Sequence, residues 1–172
     1  IPICPEVEIG LSVPRDPIHL INNNNSMSLY QPTTKSKLGE KMKAFSKKFI
    51  NSIDFIDGIL LKSKSPSCAI STAKHYPNIK AKQLMGKGPG MFTSYLIKKF
   101  PFIPKEEETR LNDIFLREHF YTSIFVIADF RNVKTFKDLY DFHGKHKLLF
   151  MAYNQLKLKA MGRVAANHNE NT

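Results

Sequence analysis

The stretch DGILLKSKSPSCA, residues 57–69, decides the fold of the first half of the chain. Three apolar residues, Ile59–Leu61, follow a turn signal and predict a short buried strand. The Ser-Pro-Ser sequence after the strand predicts a loop, and Cys68 ends that loop. Open α/β sheets place their ligands at loops that follow the carboxyl ends of strands. The stretch therefore predicts an α/β domain with a site beside Cys68.

Further strands and helices are predicted on both sides of this stretch. Residues 1–17 are predicted to be the end of a strand and then a loop, because Pro5, Pro14 and Pro17 disfavour a helix. The spacing of apolar residues predicts strands His19–Ile21 and Met27–Tyr30, an amphipathic helix over 39–53, and a helix from Met91 to about Phe100. The turn MGKGPG, residues 85–90, lacks the spacing of a P-loop, so it is predicted to cap that last helix.

The stretch PFIPKEEE, residues 101–108, is the predicted domain boundary, because two prolines and a change of charge interrupt the pattern there. The glutamates of this stretch favour the start of a helix. Beyond it the spacing is helical, with an apolar stripe of Leu116, Phe120, Ile124 and Ile127 and a second helix from Thr135 to about Tyr153. The predicted fold class is α/β, a small open sheet with flanking helices over residues 1–103, followed by an all-α helical domain over 104–172.

The chain is strongly basic, with a net charge of +11 and a pI of about 9.7. Residues 35–105 hold fifteen lysines and three acidic residues. Such a block is the electrostatic footprint of a protein that binds a polyanion, either nucleic acid or a membrane surface. An AT-rich genome would give the same lysine content without a partner, so both interpretations stay open. No run of about 18 apolar residues is present, so no membrane span is expected.

Two cysteines, Cys4 and Cys68, are too few for a disulfide scaffold, so a reducing, cytoplasmic compartment is expected. The first residues show no secretory signal. Two such cysteines are often small buried hydrophobes. Both, however, lie among prolines and serines rather than in apolar runs, and loops carry chemistry more often than cores do.

His143 and His146 have an i, i+3 spacing that could place two imidazoles on one metal ion, with packing or capping as the alternative. Basic residues surround them and are interleaved with aromatic ones, a mixture that favours RNA over a membrane. The predicted RNA-binding residues are Lys145, His146, Lys147 and Arg163.

Three stretches now carry a resemblance: CPEVEIGLSVPRDPIHL (4–20), DGILLKSKSPSCA (57–69) and GKGPGMFTSYLIKKFPFIPKEEETRLND (86–113). Together they resemble the successive motifs of the thiouracil desulfidase (TudS-like) domain. RLNDIFLREHFYTSIF (110–125), FHGKHKLLFMAYNQ (142–155) and MGRVAAN (161–167) are similar to the start of the YbgA-type helical domain that is often fused to it. The resemblance implies that the chain is truncated at both ends.

This resemblance implies a cofactor and its ligands. Members of the family hold a 4Fe-4S cluster with three cysteines, and Cys4 and Cys68 match the second and third of these. The first cysteine belongs to a Ser-x-Cys-Leu-x-Gly motif, which is expected upstream of Ile1. Ala69 stands where the family usually has glycine, which tightens the turn after Cys68.

The resemblance also gives roles to the residues around the cysteines. Glu6 is the expected proton carrier, and Ser65 and Ser67 are expected to orient the water or the pyrimidine. Arg15 and Lys64 are expected to hold phosphate. A structural ion pair between Glu6 and Arg15 that braces the loop is the alternative for these two residues.

The substrate implied is thiolated uracil, and the positive charge with the fused helical domain favours 4-thiouridine in tRNA, which would become uridine. Two alternatives stay open. The chain could be a cluster-free module that binds nucleic acid or a protein partner, or a desulfidase of small thiopyrimidines.

Overall fold

A computed structural model describes residues 1–23 and 26–166 of the chain. Its elements in chain order are α1 (Pro5–Glu8), β1 (His19–Asn22), β2 (Met27–Gln31), β3 (Ser36–Lys37), α2 (Gly39–Asn51), β4 (Ile59–Leu61), β5 (Ala73–Tyr76), β6 (Gly86–Gly88), α3 (Met91–Lys99), β7 (Lys105–Glu107), a 3-10 helix (Arg110–Asn112), α4 (Ile114–Arg131), α5 (Phe136–Tyr153) and α6 (Gln155–Ala166). A small mixed sheet with flanking helices comes first and helices α4–α6 follow, so the predicted fold class is confirmed. The segment NNNNS between the predicted strands His19–Ile21 and Met27–Tyr30 falls partly on residues 24 and 25, outside the described residues.

The strands form two sheets. One has five strands in the order β3-β2-β1-β5-β6, and the other pairs β4 with β7. β1 runs antiparallel to β2 and parallel to β5, and β4 and β7 are parallel. The core lies between the larger sheet and helices α2 and α3, where Leu20 and Leu29 of the sheet share one buried cluster with Met42, Ile50 and Phe92 of the helices. The predicted strands at 19–21, 27–30 and 59–61 and the helices over 39–53 and 91–100 are confirmed within a few residues.

The prediction of a strand end and loop over residues 1–17 is wrong at its start, because Pro5–Glu8 forms the short helix α1. Pro5 occupies the first helical position. That position needs no backbone N–H donor and matches the φ angle that the proline ring imposes, so the residue that was taken to exclude a helix begins one.

The prediction that the glutamates of PFIPKEEE begin a helix is also wrong. Lys105–Glu107 forms β7, which pairs with β4 in the register Ile59 to Lys105 and Leu61 to Glu107. A strand partner 46 residues away in the chain outweighs the local preference of glutamate for a helix start.

The chain divides into two compact units, Ile1–Phe120 and Tyr121–Thr172. In the second unit Phe142 is buried, and its ring lies 5.3 Å from that of Phe130 and 4.8 Å from that of His146. A capping box of Thr135 and Asp138 begins α5, so the helix predicted from Thr135 to Tyr153 is confirmed. The boundary predicted between 103 and 104 stays a prediction. No helix among the described residues is both long and apolar enough to cross a membrane.

Candidate active site

Cys4 lies directly before α1, and its side chain is exposed. Its carbonyl oxygen accepts hydrogen bonds from the backbone N–H groups of Val7 (3.0 Å) and Glu8 (3.1 Å). Pro5 and Glu6 are buried. The single helical turn therefore fixes the backbone of Cys4 and leaves its thiol at the surface.

Arg15 links Cys4 to the buried carboxyl group of Glu6. Its Nε donates to Glu6 Oε2 at 2.6 Å, and its Nη2 donates to Cys4 Sγ at 3.4 Å. Partial desolvation of the guanidinium is outweighed by the hydrogen bond to Glu6, so the pKa of Arg15 is raised. The ion pair that the sequence left open as an alternative for Glu6 and Arg15 is therefore present. The same cation contacts the Cys4 sulfur.

Glu6 also joins the loop of Cys4 to the loop of Cys68. Ser67 Oγ donates to Glu6 Oε1 at 2.8 Å, and Ser65 Oγ donates to the same oxygen at 3.3 Å. Ser67 is fully buried and Glu6 is 7% exposed. Ser65 Oγ in turn accepts from the backbone N–H of Cys68 at 3.1 Å. The structure thus brings five of the predicted residues around Glu6 into one network: Cys4, Arg15, Ser65, Ser67 and Cys68.

The first turn of α3 forms hydrogen bonds to the backbone of the Cys68 loop. Thr93 Oγ1 donates to the carbonyl oxygen of Cys68 at 2.6 Å, and the Thr93 N–H donates to that of Ser67 at 3.1 Å. Gly90 caps α3, and a Cβ atom there would overlap the Ser67 carbonyl group and lie 2.7 Å from Cys68 N. The prediction that MGKGPG is a turn is wrong for Gly86–Gly88, which forms β6 and pairs with β5, while the predicted cap of the helix is confirmed at Gly90. The absence of a side chain at Gly90 lets α3 approach the cysteine loop.

Glu107, the last residue of β7, and Glu108, which follows it, accept hydrogen bonds from the segments on either side of the Cys68 loop. Glu107 is 1% exposed, and its Oε1 accepts from the N–H groups of Ile70 (2.7 Å) and Ser71 (3.2 Å) and from Thr72 Oγ1 (2.9 Å). Glu108 accepts from Lys62 Nζ at 2.7 Å and from Ser63 N at 2.6 Å. The chain is therefore held just before and just after the Ser-Pro-Ser-Cys sequence.

The two thiols differ in their surroundings. Burial raises the pKa of the Cys68 thiol to about 12; a hydrogen bond from Ser65 opposes this, while the charges of Glu6 and Cys4 add to it. In the described part of the chain, no group of three or more His, Cys, Asp or Glu side chains is arranged to hold a metal ion.

Lys64 contacts the cysteine loop region through its backbone. Its backbone is left-handed, with φ at 61°, and its N–H donates to Thr72 Oγ1 at 2.7 Å, while its side chain is exposed. The predicted phosphate contact of Lys64 therefore stays a prediction.

The predicted RNA-binding residues lie in the second unit. Lys145 Nζ and His146 Nε2 both contact Asp129 Oδ2, at 2.7 and 2.9 Å, and Lys147 and Arg163 lie on α5 and α6. Hydrogen bonds from Lys145 and then His146 hold the pKa of Asp129 below its usual range. His143 Nε2 lies 3.3 Å from the Leu158 carbonyl oxygen. Each histidine therefore contacts another group of the protein. This agrees with packing, the alternative to metal binding for His143 and His146.

Sequence reasoning missed the residues that hold the Cys68 loop in place, chiefly Thr93, Glu107 and Glu108. A signal was present in the unbroken Glu-Glu-Glu run directly after a proline-rich segment. It could not be interpreted without the pairing of β7 with β4, because that pairing alone brings the carboxyl groups to residues 62–72.

Two loop cysteines with a buried carboxyl group between them, set in an α/β unit, are typical of a class of proteins that carry out chemistry at loops beside a sheet. The chain belongs to the 2-thiouracil desulfurase family, whose model matches residues 1–108. This match includes both cysteine loops and β7, and it confirms the TudS-like part of the resemblance. No curated protein and no solved structure matches the chain.

Proposed function

We propose that this chain removes sulfur from thiolated uracil by hydrolysis at the site between Cys4 and Cys68. The observation that carries the proposal is Glu6, which stands two residues after Cys4 and accepts hydrogen bonds from Arg15 and from Ser67 of the Cys68 loop, all within the segment that matches the family. In the reaction, a water oxygen bonds to the ring carbon and the carbon–sulfur bond breaks. The products are uracil and sulfide, so no oxidant or reductant is needed.

Cys4 and Cys68 suit two ligand positions of a 4Fe-4S cluster, because cluster irons prefer thiolates supplied from loops. The chain's 172 residues contain two cysteines, so a third thiolate comes from outside them. When bound, such a cluster supplies a Lewis-acidic iron that draws electrons from the carbon–sulfur bond. To serve as a ligand, Cys68 would have to release the proton that burial favours on its thiol.

Glu6 and the two serines handle the proton of the attacking water in this proposal. Ser65 is half-buried and donates to Glu6 Oε1, so it forms a route from the loop surface to a carboxyl group that is itself nearly inaccessible. Ser67 keeps the same oxygen in place from the buried side. Arg15 holds the other carboxyl oxygen and the Cys4 sulfur, and together with exposed Lys64 it faces the phosphate of a nucleotide substrate.

The substrate that we propose is 4-thiouridine in tRNA. A free base needs no basic surface, whereas a nucleic acid binds through its phosphates. The lysine block of residues 35–105 supports this choice, and we keep Lys145, His146, Lys147 and Arg163 of the second unit as proposed RNA contacts.

The test is desulfidation by protein reconstituted with iron, sulfide and an excess of dithiothreitol, which supplies the missing thiolate. The 4-thiouridine content of bulk tRNA is expected to fall. Glu6→Gln is expected to slow the reaction by about 10²–10⁴-fold, and Glu8→Gln, an exposed glutamate of the same helix, is the matched control. An unchanged 4-thiouridine content, or equal rates for the two variants, would contradict the proposal.

Two other functions have an observation in their favour. Only two cysteines in 172 residues favour a cluster-free binding module, which would bind RNA but release no sulfide after reconstitution. The family match names thiouracil itself and thus favours a desulfidase of small thiopyrimidines. That enzyme would act on free thiouracils, 2-thiouracil among them, and leave tRNA unchanged.

A further inference from the structure

The five-stranded sheet has one face that carries aromatic and basic side chains. Side chains alternate along a strand, so the neighbours of core residues Leu20, Leu29 and His75 point away from the core. The outward residues, from β3 to β6, include Lys37, Tyr30, Ser28, His19, Ile21, Tyr76, Lys74 and Lys87. The three lysines on this face of the sheet are exposed, and the three aromatic rings on it are half-buried. We call this surface the lysine–aromatic face.

The charges of this face are not balanced within the sheet. Lys74 and Lys87 are direct partners across β5 and β6, and like charges opposite each other destabilise a strand pair. None of the residues in these five strands, all of which the structure describes, is acidic. An anionic ligand would relieve this repulsion, so the face is complementary to a chain of phosphates.

The rings of the face are arranged for stacking. His19 and Tyr76, on the neighbouring strands β1 and β5, lie parallel with centroids 4.5 Å apart and an angle of 14° between their planes. Tyr30 is the direct strand partner of His19 on its other side. Bases of single strands stack on such rings, whereas a duplex keeps its bases stacked internally.

We propose that the lysine–aromatic face binds single-stranded RNA, with bases on His19 and Tyr76 and phosphates on Lys37, Lys74 and Lys87. This inference rests on the proposed function only in naming RNA as the substrate class. It places a grip on RNA in the first unit, in addition to the contacts proposed for the second.

The test measures binding of a fluorescently labelled 12-nucleotide uridine RNA to the full chain over a range of salt concentrations, without a cluster. The double variant Lys74→Gln/Lys87→Gln is expected to bind about tenfold more weakly. The slope of log affinity against log salt concentration is expected to be smaller in magnitude by about 1.4, because each of the two lost phosphate contacts contributes about 0.7 to the slope in single strands. The matched control, Lys134→Gln/Lys137→Gln, removes two exposed charges at the start of α5, outside the lysine block, and is expected to bind within twofold of the parent.

Two further measurements separate binding from folding. The melting temperature of Lys74→Gln/Lys87→Gln is expected to stay the same or rise, because the repulsion is removed. Tyr76→Leu is expected to lose about tenfold in affinity, and Tyr76→Phe, which keeps the ring, to retain it. Equal losses for the two double lysine variants, or parent-like binding by Tyr76→Leu, would overturn the inference.

A different result would contradict the proposed function. Reconstituted protein that desulfidates neither 4-thiouracil nor tRNA overturns the desulfidase, and the binding results above still decide the inference. Desulfidation of 4-thiouracil is expected to be unchanged in the face variants.

Discussion

Replacement of Glu107 tests how the cysteine loop is held. Glu107→Ala removes the acceptor for Ile70 N–H, Ser71 N–H and Thr72 Oγ1. Ser71 is exposed, so water replaces the lost partner there, while Ile70 and Thr72 are half-buried. Two donors left without an acceptor, at about 1–3 kcal/mol each, give an expected loss of about 2–6 kcal/mol in the free energy of unfolding. Glu107→Gln keeps Oε1 as an acceptor, and its expected loss is about 1 kcal/mol.

The assay for Glu107 combines urea unfolding with amide hydrogen exchange. Exchange at Ile70 is expected to accelerate far more in Glu107→Ala than in Glu107→Gln, because the alanine variant alone frees this amide. Glu8→Ala, at an exposed glutamate of α1, is the control and is expected to change neither quantity. The reasoning is refuted if the alanine variant unfolds within 0.5 kcal/mol of the parent, or if Ile70 exchanges equally fast in the alanine and glutamine variants.

Three other predictions concern the same loop. Gly90→Ala is expected to lower the free energy of unfolding in urea by more than about 2 kcal/mol, because its Cβ would overlap the Ser67 carbonyl group. Gly86→Ala, whose Cβ would meet nothing within 4 Å, is the control and is expected to change the free energy of unfolding as little as an ordinary surface substitution does. In the metal-free protein, burial raises the pKa of Cys68 to about 12, so its alkylation rate, followed by peptide mass spectrometry, should keep rising about tenfold per pH unit from pH 8 to pH 10; a plateau near pH 9 would contradict this. Partial desolvation of Glu108 is outweighed by hydrogen bonds from Lys62 and Ser63, which lower its pKa to about 2. Its stabilising effect is therefore present above its ordinary value of 4.5 and lost as the pH falls from 4.5 towards 2, so Glu108→Gln should flatten the pH dependence of stability in that range, and an unchanged acid-unfolding curve would show the reasoning to be wrong.

Elements with strong local signals were predictable from the sequence. Ile59–Leu61 forms the predicted strand because three apolar residues lie between turn signals. The start of α5 follows from Thr135 and Asp138, whose side chains and backbone groups bond within one turn. Both signals act over a few residues, and no distant partner outweighs them.

The errors arise where a distant contact or an exact helical position decides the structure. Glu107 belongs to a strand because β4 lies beside it, and no local pattern shows that neighbour. The effect of Pro5 depends on its position: it begins α1 as the first helical residue, whereas a proline later in the helix would break it. Pattern alone does not fix that position.

The candidate site was reached from loop residues and a family resemblance rather than from geometry. Cys4, Glu6, Ser67 and Cys68 were all named from the sequence, but the hydrogen bond between Glu6 and Ser67 spans 61 residues. The supporting contacts of Thr93 and Glu107 were not named, because threonine and glutamate in such places also serve as ordinary surface residues.

Release of sulfide from 4-thiouracil is the measurement that tests the central claim most directly. Protein reconstituted with iron, sulfide and dithiothreitol, then freed of excess reagents, is expected to form uracil and sulfide in equal amounts. Cys68→Ser is expected to lose both this activity and the visible absorption of the cluster, while Ser71→Ala, at an exposed position after the same loop, keeps both. Parent protein that carries iron but forms no uracil, or a Cys68→Ser variant that forms uracil at the parent's rate, would contradict the account.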